Sequence, residues 1–140
     1  MIVVDTNVVA YLYLPSSLTA AAETLLAKEP EWAAPLFWRS ELRNVLAAQV
    51  AQHGLMLDDA CAIQREAEDL LAGNEYEVDS LSVLRLAADS GCSAYDCEFA
   101  ALAEALGTRL YTADKQLLRA FPRFARRLQP IGAGRGKPVA

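Results

Sequence analysis

Four carboxylates stand where a fold could gather them: Asp5, Glu41, Asp96 and Asp114. Asp5 ends the apolar run Ile2-Val3-Val4 and is followed by Thr6-Asn7. Open α/β sheets bind their ligands at the carboxyl ends of their strands, so a strand that runs straight into an acid marks such an end. Acids brought together repel one another and raise each other's pKa values unless a cation neutralises them. An all-carboxylate set suits a hard, oxygen-seeking ion, which points to Mg²⁺, with Mn²⁺ as the alternative.

Each acid also has a plain structural role open to it. Asp5 suits the N-cap of a helix beginning near Thr6. Glu41 lies beside an apolar stripe and shares its helix face with Asn44 at i+3 and Val45 at i+4. Ser93-Ala94-Tyr95-Asp96 resembles a capping box with Asp in place of Glu. Asp114 follows Thr112 at the start of a helix, where an acid complements the dipole. Position singles out the set. Asp5, Asp96 and Asp114 each fall just after a strand or at a helix start, and in a parallel sheet those ends share one edge.

The elements that must position these acids alternate. Residues 2–5 read as a buried strand, and 17–28 as an Ala/Leu-rich helix after the Pro15-Ser16 break. Residues 32–34 form a short strand closed by Pro35. The spacing of Leu42, Val45, Leu46 and Val50 predicts a helix over 36–52, ended by Gly54. A helix over 58–71 follows, capped by Asp58 or Asp59 and stopped at Gly73-Asn74. Residues 76–78 are a weak strand, 80–89 and 94–106 helices, 109–112 a strand, and 114–120 a short helix before Pro122. Strands separated by helices imply right-handed crossovers and an α/β fold, its parallel sheet covered on both faces. Residues 1–131 read as one domain and the Gly-rich 132–140 as a flexible end.

Composition narrows the class. The 140 residues are 54% hydrophobic, which excludes a disordered or fibrous chain. No apolar run reaches transmembrane length, and no signal peptide is visible. Cys61, Cys92 and Cys97 match no metal or redox spacing and read as reduced, mostly buried thiols of a cytoplasmic protein. The net charge of −5 argues against nucleic acid, but its distribution does not. Residues 1–114 hold all 18 acids and six of the bases, a net of −12. Residues 115–140 hold seven bases and no acid, a net of +7. That asymmetry suits a rim that contacts phosphates, and it equally suits a solubilising C-terminus.

Four segments together carry a family resemblance. They are Val4-Asp5-Thr6-Asn7; Pro35 to Leu46 around Glu41; Ser93-Ala94-Tyr95-Asp96 with Glu98 to Ala103; and Leu110-Tyr111-Thr112-Ala113-Asp114. In this order and spacing the chain resembles a PIN-domain ribonuclease of the VapC toxin type. The resemblance implies a PIN-like three-layer α/β/α domain with a short central parallel sheet. It implies Asp5, Glu41, Asp96 and Asp114 as the catalytic and metal-binding quartet, supported by Thr6, Asn7 and Thr112. It implies a Mg²⁺-dependent endoribonuclease cutting structured RNA such as tRNA or rRNA, inhibited by a cognate antitoxin. A homodimer is expected too, from apolar faces on 17–28 and 58–71. Cys97 departs from the small aliphatic residue often found there and reads as packing.

Phosphodiester hydrolysis needs an activated water and a stabilised leaving oxygen, and bound Mg²⁺ supplies both. His53, the one histidine, ends a helix and is not placed as a general base. An acidic pocket repels RNA, so basic groups must hold the strand. The candidates are Arg39, Arg43, Arg119, Arg123, Arg126 and Arg127, with Trp38 and Tyr95 as possible base-stacking rings or core. Other classes fit less well. A haloacid-dehalogenase-type phosphatase needs a second Asp where Asn7 stands. A receiver-like domain needs an acidic pair where residues 2–4 are apolar, and a lone catalytic Lys on a late strand, whereas Lys115 follows Asp114 on a helix. A PIN-like nuclease outside a toxin–antitoxin pair, or a non-catalytic metal- or partner-binding module, stays open.

Overall fold

The computed structural model describes residues 1–130. Ile131 and the expected flexible end at 132–140 lie outside the described residues. Among the described residues five strands form the sheet: β1 (Ile2–Val4), β2 (Trp32–Pro35), β3 (Glu75–Tyr76), β4 (Leu110–Thr112) and β5 (Ala125–Arg127). All neighbours run parallel, in the order β3-β2-β1-β4-β5. β1 and β2 are buried along their whole length. Continuous apolar strands are what a parallel sheet requires when helices cover both faces.

Among the described residues seven helices make the outer layers: α1 (Thr6–Tyr13), α2 (Thr19–Lys28), α3 (Trp38–Gln52), α4 (Leu57–Leu70), α5 (Ser80–Ser90), α6 (Ala94–Leu106) and α7 (Lys115–Ala120). The fold is the expected three-layer α/β/α arrangement. α6 buries Cys97, Phe99, Ala100, Ala101, Leu102 and Ala103. A helix apolar on nearly every side belongs inside, and its alanines let it lie close on β1, β2 and β4. α1 packs against α2, α3 and β4.

The chain order positions the site. It steps from β1 to β2 to β3 on one side, then returns to β4 on the other side of β1. The direction of winding therefore reverses between β1 and β4, and a crevice opens at their carboxyl ends. Asp5 follows β1 and Asp114 follows β4.

Several expectations shift. The sequence reading has no element after Pro122, whereas the structure adds β5, a three-residue edge strand carrying Arg126 and Arg127, charges that suit an edge. It also leaves 6–13 unassigned beyond a capping role for Asp5. α1 forms there, its Val8, Val9 and Ala10 buried without a helical polar face to betray it. α4 starts at Leu57 with Met56 as N-cap, so Asp58 and Asp59 sit in its first turn rather than capping it. Cys92 and Cys97 are buried but Cys61 is exposed. Among the described residues no helix is long and apolar enough to cross a membrane.

Two residues move from the RNA side of the account to the scaffold. Trp38 is fully buried, and its Nε1 donates to Glu75 Oε2 at 2.7 Å. Arg39 donates to the same carboxylate from Nε at 2.6 Å and from Nη2 at 2.7 Å, and to Glu68 from Nη1 at 3.1 Å. This fork ties the first turn of α3 to β3 and leaves Arg39 committed to carboxylates. The Arg39 guanidinium, helped by Trp38, holds the Glu75 carboxyl below its ordinary range. Glu75→Ala removes a carboxylate only 10% exposed and strands the three donors that converge on it, Nε1 of Trp38 and Nε and Nη2 of Arg39. It should cost about 2–3 kcal/mol, read as a lower urea midpoint. An unchanged midpoint would mean the fork adds nothing.

Candidate active site

Asp5 is the N-cap of α1 while its backbone N–H still donates to Tyr111 across the sheet at 3.0 Å. Its carboxylate accepts from Thr112 Oγ1 at 2.7 Å and from the Asn7 N–H at 3.5 Å. Thr112 is the last residue of β4 and fully buried. Its hydroxyl also accepts from the Asp114 N–H at 3.0 Å, so one threonine links the acids that follow the two central strands. Glu41 lies in the first turn of α3 and accepts from Thr6 Oγ1 at 2.6 Å. Asp96 lies in the first turn of α6, where its N–H donates to the N-cap hydroxyl of Ser93 at 3.0 Å. Asp114 caps α7, accepting from the N–H groups of Gln116 at 2.7 Å and Leu117 at 3.1 Å.

All four acids thus stand at helix N-termini, those of α1, α3, α6 and α7. Each such end carries partial positive charge worth about 0.3–1 kcal/mol to a nearby anion. That offsets part of the cost of assembling four carboxylates.

The four acids line one cavity of about 190 Å³, together with Thr6, Asn7, Asn44 and Val45. Burial pushes the carboxyl of Asp5 up, and Asp96 and Asp114 push it further. Burial likewise raises Glu41, with Asp5, Asp96 and the neighbouring Glu98 adding to it. Asp96 is raised by burial and by Asp114. Glu98 is raised by burial alone. Sequence reasoning placed Asn44 and Val45 on the face of Glu41 but did not assign them to the site. Their spacing of three and four residues from Glu41 was the available signal.

The donor chemistry fits a hard divalent cation: oxygen ligands, high negative charge and hydroxyl groups that orient two of the carboxylates. Among the described residues, no three acidic, His or Cys side chains converge closely enough to hold an ion as they stand. Repelling carboxylates rest apart.

A pH test follows from these shifts. A carboxyl raised in the folded state binds its proton more tightly there than in the unfolded chain. Metal-free protein therefore gains stability as pH falls from neutral through the raised values of Asp5, Glu41 and Asp96. Glu75 acts oppositely, its contribution being lost only as pH falls through its lowered value, below 4.5. Thermal melts in EDTA should peak at mildly acidic pH, and Asp96→Asn should flatten the rise. A melting temperature falling steadily from about pH 7 to pH 5 would contradict the cluster's electrostatics.

None of the six arginines lines the acidic cavity. Arg43 faces a groove between α3 and α4. Arg123 pairs with Glu104 at 3.0 Å. Arg119 lies near Asp89 and Ser90. Arg126 and Arg127 are exposed on β5, where Arg127 stands in register with Thr112 at the carboxyl edge of the sheet.

Known proteins share the sequence pattern and the fold of this chain. The chain is 29% identical over 124 residues to Ribonuclease VapC3 of Pyrobaculum aerophilum, covering 86% of this chain and 95% of that protein. Its fold matches the crystal structure of PAE2754 from Pyrobaculum aerophilum with a TM-score of 0.71 at 21% identity, over 90% of this chain and 82% of that one. It also matches a toxin–antitoxin complex from Klebsiella pneumoniae with a TM-score of 0.64 at 16% identity, over 93% and 98% of the two chains. The PIN domain pattern spans residues 2–123, taking in all four acids, the switch between β1 and β4 and the helices that aim at it: the chain belongs to the PIN domain family.

Proposed function

We propose that this chain is a divalent-metal-dependent endoribonuclease of the VapC type, the toxin of a toxin–antitoxin pair. The observation that carries the reading is the ring of four carboxylates at four helix N-termini around one cavity at the strand switch. The 29% identity to Ribonuclease VapC3 over nearly its whole length supports the ribonuclease assignment, and the likeness to the Klebsiella pneumoniae complex supports the antitoxin.

Bound Mg²⁺ or Mn²⁺ supplies charge neutralisation and an activated water. Asp5, Asp96 and Asp114 would hold it, with Glu41 completing the set. Thr112 fixes the orientation of Asp5. Thr6 occupies Oε1 of Glu41, leaving Oε2 to take a proton from the attacking water. Burial raises the Glu41 carboxyl above its ordinary value, and a higher pKa makes its carboxylate a stronger base. The substrate is RNA with single-stranded loops, tRNA or rRNA, whose exposed backbone can reach a narrow acidic crevice.

Arg126 and Arg127, with Arg119, are the better-placed phosphate contacts. Replacing Arg126 and Arg127 by Ala should lower the logarithmic salt slope of RNA binding by about 0.7 for each phosphate no longer neutralised. An unchanged slope would assign them to solvation.

The antitoxin groove is best sought between α3 and α4, where Leu46, Ala47, Val50, Leu57 and Ala60 line a cavity of about 430 Å³ that suits an apolar helix. A homodimer remains part of the proposal, but α2 is a poor surface for it, because Ala21, Ala22 and Leu25 are spent in the core. Met56, at 68% exposure and outside the α3–α4 groove, is a better candidate at the start of α4. Expression in a bacterial host tests the toxin reading: wild type should arrest growth and Asp96→Asn should not. A wild-type chain that cuts RNA yet leaves growth untouched would remove the toxin half and keep the nuclease.

A further inference from the structure

A second cavity, of about 470 Å³, lies at the carboxyl ends of β2 and β3, and Glu98 joins it to the acidic cluster. Leu36, Phe37, Tyr76 and Val83 give it apolar and aromatic walls, and Glu77 and Glu98 give it carboxylates. Its volume is in the range of small-molecule sites. Phe37 caps α3, the helix that carries Glu41, and its ring stacks on Tyr95 with centroids 5.1 Å apart and planes 20° apart. Tyr95 is 63% exposed, and it precedes Asp96 on α6. Glu98 is three residues after Tyr95 and so shares its helix face. It is close enough to Glu41 to act on it electrostatically, and no hydrogen bond among the described residues satisfies it.

We propose that this cavity is a nucleobase subsite for a residue flanking the scissile phosphate, and that Glu98 makes it prefer guanine. The inference rests on the ribonuclease reading and adds a specificity determinant to it. The lining contains no Lys or Arg, so it does not recruit phosphate. What complements aromatic walls with a half-buried carboxylate that no protein group among the described residues engages is a flat, neutral ring bearing N–H donors. Single-stranded bases are recognised by stacking on aromatic side chains and by hydrogen bonds to their Watson–Crick edges. Guanine presents two parallel donors on that edge, N1–H and the exocyclic amine, which match the two oxygens of Glu98. Uracil and adenine offer one donor group beside an acceptor, and that acceptor would face the carboxylate. Phe37 lines the cavity and Tyr95, stacked behind it and exposed, braces its ring and extends the aromatic surface outward.

The probe is a set of short RNA oligomers that differ at one position, guanine or inosine, which lacks the exocyclic amine. Binding to the full chain is followed by fluorescence anisotropy in EDTA, so that no cleavage is needed. Wild type should bind the guanine oligomer about tenfold more tightly than the inosine one. Glu98→Gln should erase that difference. Tyr95→Ala should weaken all oligomers alike, and Tyr95→Phe should restore them. Equal affinity for guanine and inosine, or a preference that survives Glu98→Gln, would overturn the proposal. So would a Tyr95→Ala protein whose only change is a lower mass in sedimentation, which would make the patch a contact between protein chains. RNA that is cut in Mg²⁺ with no base preference sinks this subsite alone. A chain that neither binds nor cuts RNA sinks the ribonuclease reading beneath it.

Discussion

Asp96→Asn is expected to reduce metal-dependent RNA cleavage to background while the protein stays folded. Loss of a group that merely orients a metal ligand costs about 10–100-fold, and loss of a ligand should cost more than that. Asp96 is the cleaner choice for the test because its hydrogen bonding is local, to the Ser93 cap of its own helix, whereas Asp5 is tied across the sheet to Thr112. Its charge is opposed by burial and by Asp114. Removing that charge should hold or raise the melting temperature in EDTA. Lost activity with an unchanged or higher melting temperature marks a functional acid, because structural acids lose both together. Full activity in Asp96→Asn would remove it from the site.

The second large effect is expected from a residue that need not touch substrate. Thr112→Val keeps the shape of a fully buried side chain but removes the hydroxyl that donates to Asp5 and accepts from the Asp114 N–H. Activity should fall about 10–100-fold, with weaker Mg²⁺ binding by calorimetry. Thr112→Ser should recover most of it. If Thr112→Ser is as impaired as Thr112→Val, the methyl group and packing matter rather than the hydrogen bonds.

Much of this site was legible in the sequence, for identifiable reasons. Asp5 and Asp114 follow strands, and a parallel α/β sheet sends the ends of its strands to one edge. Ser93 and Asp96 announced the start of α6 by their spacing, and the Ser93 cap is present as expected. Thr112 was legible only as a polar neighbour, since its double hydrogen bond depends on β1 and β4 being adjacent, a fact of topology. The arginines were the least legible. Arg39 beside Glu41 has the sequence look of a phosphate contact, but Glu75 lies 36 residues away in the chain and captures it. Long-range ion pairs leave no local pattern. β5 escaped because three residues, two of them Arg, carry no apolar alternation. The cavity beside Glu98 is likewise a product of folding, joining the ends of β2 and β3 to the face of α6.

With a divalent metal bound, these carboxylates would direct hydrolysis of a phosphodiester of RNA. The most direct measurement is the chemistry of the cut ends after incubation of the full chain with loop-containing RNA in Mg²⁺ or in EDTA. Attack by water on phosphorus with departure of the 3′ oxygen leaves a 5′ phosphate and a 3′ hydroxyl. Wild type should give those ends in Mg²⁺ and no cleavage in EDTA. Cleavage that persists in EDTA, or ends that carry a 2′,3′-cyclic phosphate, would contradict the account.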